Sequence, residues 1–408
     1  MQHPSPTRRS KLSLFFVAVA GFAVINGLVV CAMGQTSIKL TRDAISQQTQ
    51  LCPLFGSWTW WMAKGFLDQK VPPDIVLLGS SQMNSAARAG DAKLLNHAVD
   101  CVSHHEVFSL ETALEKAGLP RNSVVNCSLD GAMASDYWMT ARALLTDEHR
   151  PKIVIIGVSP RDFIDNKLVS ASSTEPFRFF SRYVDSGKLS QLAYPDPIAR
   201  ANAQLEWALN SLPTRALHSS IESLLSSNQW RGNKPQTQEV LGIVRDSQMM
   251  VKPGEFMEPA KTEGVWVDNS HEYINRYKNS SPPCYPIQIS FFKEFLGLMR
   301  DQNVRVLVLG MPTLAQNRNL LSADFWSSYR TQISSICRDY NASWLDVSDS
   351  PDFNVSDFID TVHVNSKGGA KLFAIMAEKL GSDANLYKAL AAKTNADLAY
   401  TSKSKLPQ

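Results

Sequence analysis

The chain has 408 residues, 44% of them hydrophobic and 19% charged, which is enough apolar mass for one large core or two modest ones and excludes wholesale disorder. Its formal net charge of +3 is mild and its basic residues are scattered, so it lacks the stripe of positive charge that a nucleic-acid surface needs.

At the N-terminus, Arg8, Arg9 and Lys11 precede an uncharged run from Leu12 to Ile38 that includes Phe15, Phe16, Phe22, Ile25 and Leu28. A stretch of about 20 such residues crosses a bilayer, and the positive flank stays in the cytoplasm. Residues 1–38 are therefore expected to be a cytoplasmic tip and a single transmembrane signal-anchor, with the body extracytoplasmic at the cell membrane. Ala32-Met33-Gly34 before Gln35 also meets the small-residue rule of a signal-peptidase site, and cleavage near Gly34 would secrete the body instead. Residues 39–71 read as a linker or membrane-proximal segment, with Trp58-Thr-Trp60-Trp61 suited to the membrane interface or to packing on the domain. Cys52, Cys101, Cys127, Cys284 and Cys337 follow the apolar run without tight spacing, so at most two disulfides can form.

From residue 74 onward, apolar runs alternate with helical periodicity. Strands are predicted over Asp74–Gly79, Ser123–Ser128, Lys152–Val158, Val304–Leu309 and Ser343–Val347. Helices are predicted over Arg88–Leu95, Glu106–Ala117, Ser135–Leu145, Ile287–Asp301, Ala323–Tyr340 and Ser366–Leu380. Five strands separated by helices imply an α/β fold in three layers, a doubly wound five-stranded parallel sheet of flavodoxin-like type. That domain is expected over 72–160 and 286–380. The stretch 161–285 is too long for a connection and is expected to be an inserted subdomain or lid, with helices over Ile198–Leu212 and Arg215–Leu225. Residues 381–408 read as a C-terminal tail.

Ligands of such sheets bind beyond the carboxyl ends of the strands. Ser81 follows the first strand, Gly131 the second, Ser159 the third, and Asp360 with His363 lie after the fifth, so four distant segments converge on one rim. A carboxylate three residues before an imidazole can hold that ring in one tautomer, and a serine at the mouth of a strand supplies a nucleophile. The ordinary alternatives are a strand-to-helix turn with Ser81 as N-cap, a surface His363, a turn glycine at 131 and a structural ion pair at Arg161-Asp162. His97, Cys101, His104 and His105 stand at helical spacing and could share a face, though a polar helix or loop explains them as well and no metal is expected.

Gly79-Ser80-Ser81 resembles the Gly-Asp-Ser block of the SGNH (GDSL-type) hydrolase superfamily, with Ser80 in place of the acid, and Asp360-Thr-Val-His363 is similar to its Asp-x-x-His block. Asn126-Cys-Ser-Leu-Asp-Gly131 is similar to the second block, whose glycine N–H serves the oxyanion hole. The third block is normally Gly-x-Asn-Asp, and here Gly157-Val158-Ser159 puts serine where asparagine stands. The resemblance implies a catalytic triad of Ser81, His363 and Asp360 and an oxyanion hole of Ser81, Gly131 and Ser159, with Asn126 and Arg161 as further candidates for the third donor. No cofactor is implied. The Gly-Ser-Ser variant behind a membrane helix looks most like membrane-anchored proteins of envelope polymer modification, such as those of alginate O-acetylation and lipoteichoic acid D-alanylation. This implies an acyltransferase or esterase acting on O-acyl groups of an envelope or secreted polysaccharide, with a polysaccharide or lipid-linked acyl substrate and a polytopic membrane acyltransferase as partner. An exported carbohydrate or lipid esterase, or a non-catalytic assembly protein on a decayed hydrolase fold, are the alternatives.

Overall fold

The structure, a computed structural model, describes residues 39–45, 56–146, 149–168, 170–181, 183–210, 250–262, 264 and 266–392, together with Gly21 and Val24. Ile75–Leu78 (β1), Val124–Asn126 (β2), Ile153–Val158 (β3), Arg305–Gly310 (β4) and Ser343–Asp346 (β5) form one sheet in the order β2-β1-β3-β4-β5. Every pairing in it is parallel, with Val76 opposite Val125 and Val154, Ile155 opposite Leu307, and Leu309 opposite Leu345. Strands covered on both faces must be apolar throughout rather than alternating, and the runs Ile75-Val-Leu-Leu and Ile153-Val-Ile-Ile have that character and are fully buried.

The crossover elements cover both faces. Ser81–Leu95 (α2), Phe108–Lys116 (α3) and Ser366–Ser382 (α7) pack on one another over one face, where Ile75, Leu77, Ile155 and Leu307 meet Met83, Leu110, Leu372 and Phe373. On the opposite face Ala134–Leu144 (α4) packs against Cys284–Asp301 (α5), with the Trp138 and Phe291 rings 5.6 Å apart. Ala323–Asp339 (α6) leads into the edge strand β5. The chain leaves β1 toward β2 on one side and returns to β3 on the other. The crevice at the carboxyl ends of β1 and β3 is thus the switch point at which such sheets take ligands.

Several elements differ from the sequence expectations. Residues 56–67 are built into the domain: Gly56–Ser57 pairs antiparallel with Met250–Val251, and Trp58–Leu67 (α1) buries Trp60 and Phe66 while Trp61 Nε1 donates to the Val251 carbonyl at 2.9 Å. The tail begins with a helix, Ala384–Ala391 (α8), whose Leu386 and Leu390 join the core. By their contacts the residues divide into Leu40–Ala193 with Gln248–Gln408, which holds the sheet, and Met1–Lys39 with Tyr194–Ser247. Within the second unit, the helix Pro197–Asn210 starts beside Asp196, whose carboxylate accepts the Ala199 N–H at 2.7 Å. The predicted helix over 215–225 and, apart from helical Gly21 and Val24, the apolar run 12–38 with its cleavage position lie outside the described residues. Among the described residues no helix is long and apolar enough to cross a membrane. Cys101, Cys127, Cys284 and Cys337 are buried free thiols, so none of them forms a bridge.

Candidate active site

The turn after β1 sets the position of Ser81. A Cβ on Gly79 would lie 2.7 Å from Met83 Cβ and 3.2 Å from the Gly157 carbonyl oxygen, so only glycine lets the chain turn this close to β3. Ser80 is the extended N-cap and Ser81 the first residue of α2, seven residues earlier than the apolar spacing predicts. The Ser81 N–H therefore belongs to the group with no acceptor inside the helix, at the positive end of a 15-residue macrodipole.

His363 reaches the same point from the other end of the chain. Its Nε2 lies 2.7 Å from Ser81 Oγ and its Nδ1 2.6 Å from Asp360 Oδ2. The other carboxylate oxygen of Asp360 accepts the backbone N–H groups of Val362 at 2.8 Å and His363 at 2.7 Å, closing the Asp-x-x-His turn on itself. Burial pushes the Asp360 carboxyl up, but hydrogen bonding to the His363 ring, electrostatic attraction to it and the two backbone donors outweigh it, and the group titrates below the usual range. An ionised Asp360 holds the proton on Nδ1, which leaves the Nε2 lone pair to the Ser81 hydroxyl. The turn is itself anchored: Gln82 Nε2 donates to the Val362 carbonyl at 3.2 Å, Ser85 Oγ to the Val364 carbonyl at 3.0 Å, and Thr361 N to Asn269 Oδ1 at 3.1 Å.

These residues open on a cavity of about 360 Å³ whose walls include Gly131, Ser159 and Arg161. Gly131 has φ +77°, a left-handed conformation that suits glycine and presents backbone rather than side chain. Ser159 lines the cavity, yet its backbone N–H is given to Asp162 Oδ2 at 2.9 Å. Asn126 is elsewhere: its Nδ2 donates to Asn84 Oδ1 at 2.9 Å and its Oδ1 accepts Ser128 N–H at 3.0 Å, and it is no wall of the cavity. Its amide braces the β2 turn against α2, away from the cavity. Arg161 donates from Nη1 to the Ala132 carbonyl at 2.6 Å and from Nε to Asp165 Oδ2 at 3.1 Å, while Asp162 is a looser partner at 3.8 Å. Burial raises the Asp162 carboxyl to about 6, against the pull of Arg161 and the Ser159 N–H.

The sequence reading missed much of the remaining wall. Tyr273, Arg276 and Tyr277 come from the arm 269–279, which contains the short helix Ser270–Ile274, Trp326 from α6, and Arg88, Asp130 and Glu258 from three further segments. No periodicity marks the arm. Its one sequence signal is a density of Asn, Tyr and Arg unusual for a plain connection. The cluster of His97, Cys101, His104 and His105 does not lie on a helix, because Val99–Asp100 is a short strand. His104 Nε2 pairs with the buried Asp91 at 2.8 Å, and burial lowers the His105 imidazole to about 4. Among the described residues no group of three or more His, Cys, Asp or Glu side chains is placed to hold a metal ion.

Residues 203–380, less than half of the chain, match the model of a family described as "Protein of unknown function (DUF1574)". No curated protein matches. Among solved structures, the crystal structure of an acetyl xylan esterase aligns with 76% of this chain and 98% of that one, at 11% identity and a TM-score of 0.32. At that distance the esterase lends this chain neither its chemistry nor its fold, which rest here on the strand order and the side-chain geometry.

Proposed function

We propose that the protein is a serine esterase or O-acyltransferase, with Ser81 as nucleophile, His363 as general base and Asp360 as the acid that orients it. The observation that carries this reading is the unbroken hydrogen-bonded line from Ser81 Oγ through both nitrogens of His363 to Asp360, at 2.7 and 2.6 Å. Ser81 Oγ attacks the acyl carbonyl carbon as its proton passes to His363 Nε2. The oxyanion is received by the N–H groups of Ser81 and Gly131, and its collapse breaks the ester C–O bond while the departing alkoxide takes the proton from His363. Water or an acceptor hydroxyl then gives a proton to His363, attacks the acyl-serine and frees Ser81.

The cavity wall of Arg88, Asp130, Glu258, Tyr273 and Trp326 combines charged hydrogen-bonding groups with aromatic faces, which favours a hydroxyl-rich substrate over a long acyl chain. On this reading, and on the resemblance to SGNH-type proteins of envelope polymer modification, the acyl group is borne by a polysaccharide. The run 12–38 anchors the body outside the membrane, where a polytopic acyltransferase supplies it. A fluorophosphonate probe tests the core of the proposal: labelling of the wild type that is lost in Ser81→Ala and weakened in His363→Ala is expected, and an unlabelled wild type overturns it. Acetate release measured against acetyl transfer to an added oligosaccharide then separates esterase from transferase.

A further inference from the structure

An acyl-transfer reaction at Ser81, on which this inference rests, develops a full negative charge on the carbonyl oxygen, and two backbone N–H groups leave room for a third donor. Of the other candidate side chains, Asn126 lies outside the cavity wall and is bonded to Asn84, and Ser159 has given its N–H to Asp162 and keeps only a neutral hydroxyl for the cavity. Arg161 is different. Its side chain is 12% exposed, its Nε and Nη1 are held by Asp165 and the Ala132 carbonyl, and its Nη2 has no partner among the described residues. That nitrogen lies 3.8 Å from where a Cβ on Gly131 would stand, beside the backbone that faces the cavity.

The guanidinium is fixed from behind. Asp165 is fully buried, and the oxygen that accepts Arg161 Nε also accepts Arg276 Nη1 from the arm. Asn166 ties the same arm down, donating from Nδ2 to the carbonyls of Arg276 and Asn279 at 2.7 Å each. Two carboxylates, Asp162 and Asp165, offset the charge of Arg161 and let it remain buried with a donor to spare. We propose that Arg161 Nη2 is the third donor to the oxyanion of the tetrahedral intermediate, so that this protein uses a charged donor where a neutral side chain would otherwise serve. Hydrogen bonds from an ionised donor are shorter and about twice as strong as neutral ones, and their gain is largest when the charge appears only in the transition state.

The test is the hydrolysis of p-nitrophenyl acetate by the full-length protein. Arg161→Met is expected to lower kcat by about 10²–10³ with KM nearly unchanged, the range for removal of one oxyanion donor. Arg161→Lys, which keeps a charge beside Asp165 and serves if the methionine variant does not fold, should lose at least about tenfold in kcat because an ammonium cannot span Asp165, Ala132 and the cavity at once. Methylguanidinium should restore part of the rate to Arg161→Ala and none to Ser81→Ala. A rise in KM with kcat intact, or a larger loss in Ser159→Ala than in Arg161→Met, overturns the assignment. If Ser81→Ala is inactive while Arg161→Met matches the wild type, only the role of Arg161 falls. If Ser81→Ala turns over the ester like the wild type, the acyl-transfer reading falls with it.

Discussion

Asp360→Asn should disable the protein without unfolding the turn that carries it. Asp360 makes three hydrogen bonds, from Val362 N–H and His363 N–H to one oxygen and from His363 Nδ1 to the other. An asparagine can keep its carbonyl oxygen on the two backbone donors, because the reverse orientation would set its NH₂ against both of them. The amide nitrogen then faces His363 Nδ1, and since it can only donate, the imidazole must accept there and carry its proton on Nε2. An Nε2–H donates to Ser81 Oγ and cannot receive the serine proton. The same exchange of tautomer in a serine protease lowers kcat about 10⁴-fold, or about 5 kcal/mol of barrier, and a loss of that size is expected here. With two of the three bonds retained and the third reversed in direction, stability should change by no more than about 1 kcal/mol. Turnover of p-nitrophenyl acetate and a urea unfolding curve measure the two quantities. An Asp360→Asn variant within tenfold of wild-type kcat would refute the role given to His363.

Other consequences concern stability. Burial lifts the Asp136 carboxyl from its ordinary value to about 7, against donors from Met133 N–H and Thr174 Oγ1. The folded state therefore holds a proton that the unfolded chain has released, and stability falls as pH rises from about 4 to 7 by on the order of 1 kcal/mol per unit. Asp136→Asn should flatten the melting temperature between pH 5 and 8, and a slope equal to that of the wild type would contradict the assignment. Gly79→Ala should cost about 1–3 kcal/mol, since the new methyl meets Met83 Cβ at 2.7 Å, and should reduce kcat by displacing Ser81. An unchanged denaturation midpoint would show that the turn has slack. Leu390→Ala should cost about 2–5 kcal/mol if α8 belongs to the core, and limited proteolysis should then release residues after 383 before it cuts elsewhere.

The sheet was legible because its strands are buried on both faces and leave continuous runs of Ile, Val and Leu that no surface helix would tolerate. The helices missed or shortened lack such a signature. Ser81-Gln-Met-Asn-Ser opens α2 with three weak helix formers, Ser81, Asn84 and Ser85, and the packing of Met83, Ala86 and Ala87 into the core beneath β1 favours the helix. Trp58, Trp60 and Trp61 read equally well as a membrane-interface cluster, for indole suits a bilayer headgroup and a half-wet core alike. The pairing of Gly56–Ser57 with Met250–Val251 and the bond from Trp61 Nε1 to the Val251 carbonyl, both distant in sequence, decide for burial.

The candidate site divides along a related line. Ser81 and His363 stand out in the sequence because each follows a recognisable strand or turn, and a parallel sheet brings such positions to one edge whatever the distance between them in sequence. Asn269 and Arg276 do not stand out, because their partners Thr361 and Asp165 lie 92 and 111 residues away and the pairings obey no local period. These contacts join the arm to both sides of the cavity: Asn269 holds the His363 turn through Thr361, and Arg276 holds Arg161 through Asp165. His363 and Arg161, proposed as the base and the charged oxyanion donor, are thus both held by one segment. The polar density of that segment follows from this double attachment, and apolar packing could not supply it, since a side chain that grips a buried carboxylate must itself be a donor.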